Sequence, residues 1–81
     1  MFQSRLSPGD IGAVVRQTRR ALGLRQEQLA GAARVELRFI TDLEAGDPAI
    51  SLGKTLRVLE LLGCGIILTP PPGLDEDDAE P

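Results

Sequence analysis

Histidine, tyrosine and tryptophan are absent from this sequence of 81 residues, and cysteine occurs only once. Histidine and cysteine are the side chains that most often build zinc sites, and no metal-binding spacing is present. Without histidine, Cys64 also has no obvious base that could activate it as a nucleophile. We therefore expect a protein that is not an enzyme and that needs no cofactor and no metal.

The same scarcity bears on the compartment in which the protein acts. A lone Cys64 cannot form a disulfide within the chain, which fits a reducing cytoplasm. No apolar stretch approaches the roughly 18 residues of a membrane span, and the N-terminus lacks the apolar core of a signal peptide. We therefore expect a protein that acts in the cytoplasm.

Negative charge is concentrated at the C-terminal end. The net charge of −3 arises from nine basic and twelve acidic residues. Five of the acidic residues lie in the last seven positions, namely Asp75, Glu76, Asp77, Asp78 and Glu80. Residues 1–70 carry nine basic and seven acidic residues, a net charge of +2. We expect residues 1–6 to form an arm, residues 7–69 one weakly basic domain, and residues 70–81 a disordered acidic tail.

Four helices are predicted, so the fold class is mainly α. Ser7 is a capping residue for a first helix that runs to about Leu22. Two short helical patterns then meet at a tight break near Arg34. Ser51 caps a fourth helix that runs to about Leu62. Two short helices joined by a tight turn form a helix-turn-helix unit, whose second helix can enter the major groove of DNA.

The second helix of this unit has two distinct faces. Ile40 and Leu43 point to the core, and the opposite face carries Leu37, Arg38, Thr41 and Asp42.

Each of these exposed residues has a chemistry that suits DNA. Arg38 can donate two hydrogen bonds to a guanine, and Leu37 can touch a thymine methyl. Thr41 can reach a base or a phosphate. Asp42 either accepts from a cytosine amine or repels the phosphates. From these residues alone, a DNA-reading face and an ordinary solvated face on a small helical core are equally consistent with the pattern.

A single strand, at residues 65–69, follows the fourth helix. A strand needs a hydrogen-bonding neighbour, and a second copy of the chain is the simplest one. The fourth helix is also apolar over more than one face. Both features favour a homodimer over a coil packed under that helix, and the predicted dimerisation residues are Val58, Leu61, Leu62, Ile66, Ile67 and Leu68.

The motif residues carry a resemblance to a known family. Part of the chain resembles the Cro/XRE-type helix-turn-helix. The resemblance lies in the run Leu24-x-Gln26-x-x-Leu29-Ala30, in Val35 and in the run Ile40-x-x-Leu43-Glu44-x-Gly46. Residues 38–46, the following Asp47-Pro48 and the segment Ile66-Ile67-Leu68 are most similar to HipB-like antitoxins, which pair with HipA-like kinase toxins. The resemblance implies a lambda-repressor-like DNA-binding domain of four to five helices, with a short C-terminal β-strand that pairs across a homodimer.

The resemblance also implies roles for individual residues. Arg19 is expected to form a structural ion pair with Glu44, which would tie the first helix to the recognition helix. Gln26 is expected to contact the DNA backbone at a helix N-terminus, where free N–H groups favour phosphate. The remaining candidates for phosphate binding are basic, namely Arg16, Arg20 and Arg34.

Three positions depart from the family pattern. Arg25 and Glu36 stand where the family usually has hydroxyl residues that cap the two helices, and Arg34 stands where it usually has glycine. A lost cap typically costs about 1 kcal/mol, and a side chain at positive φ adds a modest penalty. Glu36 suits the dipole at a helix N-terminus but would repel phosphates, so these departures bear on affinity for DNA rather than on the fold.

We expect a sequence-specific repressor of the HipB-like type. In the bacterial cytoplasm it would bind double-stranded operator DNA as a homodimer, and it would lie on the nucleoid when bound. It would autoregulate its operon as an antitoxin and bind a HipA-like kinase toxin. The alternatives are a stand-alone XRE-family regulator without a toxin, and a protein-interaction module that has lost DNA binding.

Overall fold

A computed structural model of the chain describes residues 6–73. These residues form four helices, α1 (Pro8–Ala21), α2 (Gln26–Ala33), α3 (Leu37–Glu44) and α4 (Leu52–Leu62). The predicted mainly α architecture is therefore confirmed. The expectations for an N-terminal arm and for an acidic tail fall mostly on residues 1–5 and 74–81, which lie outside the described residues.

The start of α1 follows the predicted capping chemistry. Ser7 Oγ accepts from the Asp10 backbone N–H at 3.1 Å, and Asp10 Oδ2 accepts from the Ser7 backbone N–H at 3.0 Å. Pro8 occupies the first turn, where its missing N–H costs nothing. Gly23 follows the helix at a φ of +73°, which a glycine adopts without strain.

One face of each helix contributes to a single core. Val15, Leu29, Ile40 and Val58 are fully buried at its centre. The remaining buried apolar residues are Ala30, Ala33, Leu43, Leu59 and Leu62.

The buried stripe of α1 is narrower than its apolar pattern. By their spacing, Val14 and Leu22 lie on the apolar side of the first helix, but both side chains are exposed. The packing of α3 and α4 against α1 covers the face that carries Val15 and leaves the neighbouring face open. The apolar side of α1 is therefore only partly covered, since Val14 and Leu22 remain exposed.

The residues after α4 continue without regular structure. Gly63 ends the helix at a φ of +80°, and no strand is assigned between residues 6 and 73. Ile67 and Leu68 are 90% and 88% exposed. A strand is defined by its hydrogen-bonded neighbour, so the strand predicted across a homodimer stays a prediction for this single chain.

The described residues contain neither a membrane-spanning helix nor a cluster of metal ligands. In the described range, no helix combines the length and apolar character needed to span a membrane. Within residues 6–73, no group of three metal-ligating side chains is close enough to hold an ion.

Candidate nucleic-acid interface

The turn between α2 and α3 is held by a backbone hydrogen bond and by a side chain from α4. Arg34 adopts a left-handed conformation, with φ 59° and ψ 46°. The next N–H, that of Val35, donates to the Ala30 carbonyl at 3.0 Å. From α4, Arg57 donates through Nε to the Ala33 carbonyl at 3.2 Å and through Nη2 to the Arg34 carbonyl at 3.2 Å. Arg57 thus caps the C-terminus of α2 and ties the turn that precedes α3 to α4.

The positive φ of Arg34 leads to a prediction about the stability of the protein. Arg34→Gly is expected to raise the free energy of unfolding by about 0.5–1 kcal/mol, because glycine reaches positive φ without the penalty that a Cβ brings. Part of that gain is offset by the greater freedom of glycine in the unfolded chain. Denaturant unfolding followed by circular dichroism measures the change. Arg34→Ala is the matched control, because it removes the charged side chain and keeps the Cβ. Equal stability of the glycine and alanine variants would contradict the strain at this turn.

The exposed face of α3 brings the four predicted base-reading residues together. Leu37 and Arg38 are exposed, whereas Thr41 and Asp42 are partly buried beside them. Arg38 Nε donates to Asp42 Oδ1 at 3.4 Å. The Thr41 hydroxyl donates to the Arg38 carbonyl at 2.9 Å, so in this rotamer it offers only an acceptor to another molecule. Thr41 therefore suits a base amine better than a phosphate, whose oxygens are acceptors.

A buried ion pair anchors the end of α3 to α1. Arg19 Nε donates to Glu44 Oε2 at 2.6 Å, and Arg19 Nη2 donates to Glu44 Oε1 at 3.0 Å. Arg19 Nη1 donates to the Leu24 carbonyl at 2.9 Å. The two side chains are only 10% and 3% exposed. This bidentate geometry fixes the distance and the angle between the two helices.

Two of the predicted phosphate-binding residues converge on the same carboxylate. Gln26 Nε2 donates to Glu44 Oε1 at 3.1 Å, which leaves its second N–H and its carbonyl oxygen for another partner. Arg16 Nη2 lies 3.4 Å from the Glu44 carbonyl oxygen, and Arg16 Nε lies 3.9 Å from Oε1. Arg20 is exposed on α1, one helical turn after Arg16. The phosphate-binding roles remain predictions.

The environment keeps both members of the ion pair charged. Burial raises the pKa of Glu44, but hydrogen bonds from Arg19 and Gln26, together with the charges of Arg19 and Arg16, outweigh that effect and leave its pKa below the ordinary value. The hydrogen bond to Glu44 raises the pKa of Arg19 against the opposing effect of burial. Both groups therefore remain ionised at neutral pH.

The departures from the family pattern lie where the sequence placed them. Arg25 is the residue that precedes α2, and Glu36 precedes α3; neither side chain caps the helix it begins. At α2 the loss is partly compensated, because Gln28 Oε1 accepts from the Arg25 backbone N–H at 2.8 Å. No such bond from Glu36 is formed at α3, and the Glu36 side chain is exposed.

A sequence family described as a helix-turn-helix domain matches residues 10–69. This chain belongs to that family. An uncharacterised HTH-type transcriptional regulator of Sinorhizobium fredii, y4mF, is 55% identical over 65 residues, which are 80% of this chain and 86% of the relative. The coarser prediction, a helix-turn-helix transcriptional regulator, is thereby confirmed.

Solved structures of HipB have the same fold. The HipB–O4 20mer complex matches with a TM-score of 0.73 at 22% identity, over 85% of this chain and 97% of the HipB chain. A HipA–HipB–O2–O3 complex matches with a TM-score of 0.71 at 23% identity, again over 85% and 97%. The similarity to HipB that the motif residues indicate is thus confirmed at the level of the fold.

Proposed function

We propose that the protein is a repressor that binds operator DNA through α3 and acts as the antitoxin of a HipBA-like pair. The observation that carries the proposal is the exposed polar face of α3, mounted on a helix whose end is fixed by a buried ion pair. Arg38 is accessible on that face, and Arg19 holds Glu44 behind it. A rigid mounting suits base reading, because hydrogen bonds to base edges require accurate placement.

DNA binding by a two-fold dimer would supply the second half of the interface. The surface available to a second copy consists of exposed apolar side chains, namely Leu61, Ile66, Ile67 and Leu68. Val58 and Leu62, which were also predicted to join it, are buried in the core of the chain itself, and their part in dimerisation stays a prediction. A symmetric dimer would place two α3 helices in successive major grooves, about 34 Å apart.

The antitoxin role is supported by the relatives rather than by a site on this chain. One structure with the same fold is a HipA–HipB–O2–O3 complex. A HipA-like kinase is therefore the proposed protein partner, and autoregulation of a shared operon is the proposed mode of control. A stand-alone regulator would bind DNA in the same way and would not co-purify with a kinase-like protein.

One observation favours a second candidate, a protein-interaction module without DNA binding. Glu36 places an exposed carboxylate at the start of α3, beside the face that would approach phosphates. The two candidates differ in their response to salt. Binding to a duplex from the protein's own promoter, measured at several salt concentrations, should weaken steeply as salt rises if counterions are released from DNA. No preference for that duplex over random DNA would favour the interaction module.

Arg38→Ala tests the assignment of the recognition face. The variant should lose about 1–3 kcal/mol of operator binding and accept other bases at one position, because the bidentate contact to guanine is removed. A competition assay against single-base variants of the operator measures both effects. Arg20→Ala is the comparison: it should weaken binding to all sequences alike and reduce the salt slope by about 1. If Arg38→Ala left the base preference unchanged, Arg38 would not be a base-reading residue.

A further inference from the structure

On the exposed face of α3, two residues one helical turn apart form an ion pair. Arg38 Nε lies 3.4 Å from Asp42 Oδ1 and 3.4 Å from Oδ2. The Arg38 side chain is 83% exposed and that of Asp42 is 38% exposed. The carboxylate is therefore the sheltered member of the pair, and the guanidinium extends beyond it toward the surface.

Helix stability does not explain this pair. Exposed pairs contribute little, and an acid placed four residues after its base is the less favourable order along a helix. Asp42 also lies in the last turn of α3, where the helix dipole disfavours negative charge. On a face that meets DNA, the same carboxylate opposes binding to phosphates. A benefit of Asp42 must therefore come from something other than helix stability or affinity for phosphates.

The benefit that we infer for Asp42 is its effect on the orientation of the Arg38 guanidinium. A carboxylate at Nε occupies one edge of the planar group and leaves the two terminal nitrogens, Nη1 and Nη2, free. Those nitrogens form the fork that matches the O6 and N7 acceptors of guanine. An arginine without this contact can rotate toward any nearby phosphate, which carries no sequence information. Exclusion of water from the groove would strengthen the pair further.

We propose that Asp42 is a positioning residue that determines specificity, because it holds Arg38 in the orientation that reads guanine. It does so without reading a base itself. The inference rests on the proposed function, since it requires Arg38 to contact DNA. It assigns to Asp42 a negative effect on affinity for DNA in general and a positive effect on discrimination between bases.

Selection from a pool of randomised DNA duplexes, followed by sequencing, tests the proposal and does not require the operator sequence. For Asp42→Ala, the preference for guanine at the position read by Arg38 should fall about tenfold, within the range of one bidentate contact. Affinity for a random duplex should rise at the same time, because one charge that repels phosphates is lost. Glu36→Ala is the matched control: it removes an equal charge from the start of the same helix, so it should raise random binding and leave base preference unchanged.

A second pair of variants separates positioning from direct reading. If Asp42 acts through Arg38, then Asp42→Ala should not change base preference any further in a chain that already carries Arg38→Ala. Effects of the two substitutions at different base positions, or effects that add, would overturn the proposal, as would an intact guanine preference in Asp42→Ala. If the wild-type protein selects no motif at all, the proposed function itself fails. Thermal unfolding of each variant verifies that the fold is retained.

Discussion

Arg19→Met is expected to destabilise the protein by about 3–5 kcal/mol at neutral pH, the range seen when one partner of a buried ion pair is removed. The Glu44 side chain, 3% exposed, would keep its hydrogen bond from Gln26 but lose the two bonds and the charge that Arg19 supplies. A small domain has only about 5–15 kcal/mol of stability in total, so much of it would be lost. Denaturant unfolding at pH 7 measures the change, and Arg20→Met, on the exposed side of α1, is the matched control.

The pH dependence of this effect has a definite sign. In the wild type the pKa of Glu44 is lower in the folded state than in the unfolded chain. Its contribution is therefore fully present above the unfolded pKa of about 4.3 and is lost as pH falls through the folded pKa. In Arg19→Met, burial without the arginine should raise the folded pKa above the unfolded one. The variant should then recover stability as pH falls from neutral toward about 4.3, so its deficit against the wild type narrows.

A double substitution tests whether the unpaired carboxylate is the cause. Arg19→Met combined with Glu44→Leu removes both charges and keeps most of the volume, so it should be markedly more stable than Arg19→Met alone. If the double variant is no more stable than the single one, then packing by the arginine side chain, rather than its charge, is what stabilises the contact between α1 and α3.

Gly12→Ala is expected to cost about 2–3 kcal/mol, although alanine is the better helix former by about 1 kcal/mol. A Cβ at Gly12 would lie 2.9 Å from the Glu44 carbonyl oxygen and closer still to that of Leu43. Both obstacles are backbone atoms at the end of α3, so relief requires the two helices to move apart. That movement would also lengthen the contact between Arg19 and Glu44. Thermal and denaturant unfolding measure the loss.

Gly31→Ala provides the comparison for Gly12→Ala. Gly31 lies within α2, and a Cβ there would have no neighbour within 4 Å. This substitution should stabilise the protein by about 0.5–1 kcal/mol through helix propensity alone. If both alanine variants were stabilised alike, α1 and α3 would not be in the close contact that the structure shows.

Local patterns in the sequence were sufficient to predict the four helices and their approximate ends. Ser7 with Asp10 indicates a capping box, and the structure contains it. The spacing of Ile40 and Leu43 predicts which face of α3 is buried, and both are in the core. Family resemblance added the pairing of Arg19 with Glu44, two residues that no local pattern connects. They are in contact in the structure.

Other features of the candidate site depend on residues that are distant in the sequence. Nothing in the residue pattern indicates that Arg57 caps α2, because its acceptors at Ala33 and Arg34 lie 24 and 23 positions away. The convergence of Gln26 on Glu44, 18 positions apart, is equally invisible in the sequence. For Gly12, the choice between a poor helix residue and a required close contact depends on where α3 crosses α1.

The sequence by itself thus determined the four helices, the helix-turn-helix unit and the exposed polar face of its second helix, because capping and apolar periodicity act over a few residues. Only the tertiary structure decided which part of the broader apolar surfaces of α1 and α4 is core and which is exposed. Val58 and Leu62 are buried, whereas Val14 and Leu22 are exposed. Periodicity reports that a helix has apolar faces, but the position of the neighbouring helices decides which of those faces is covered.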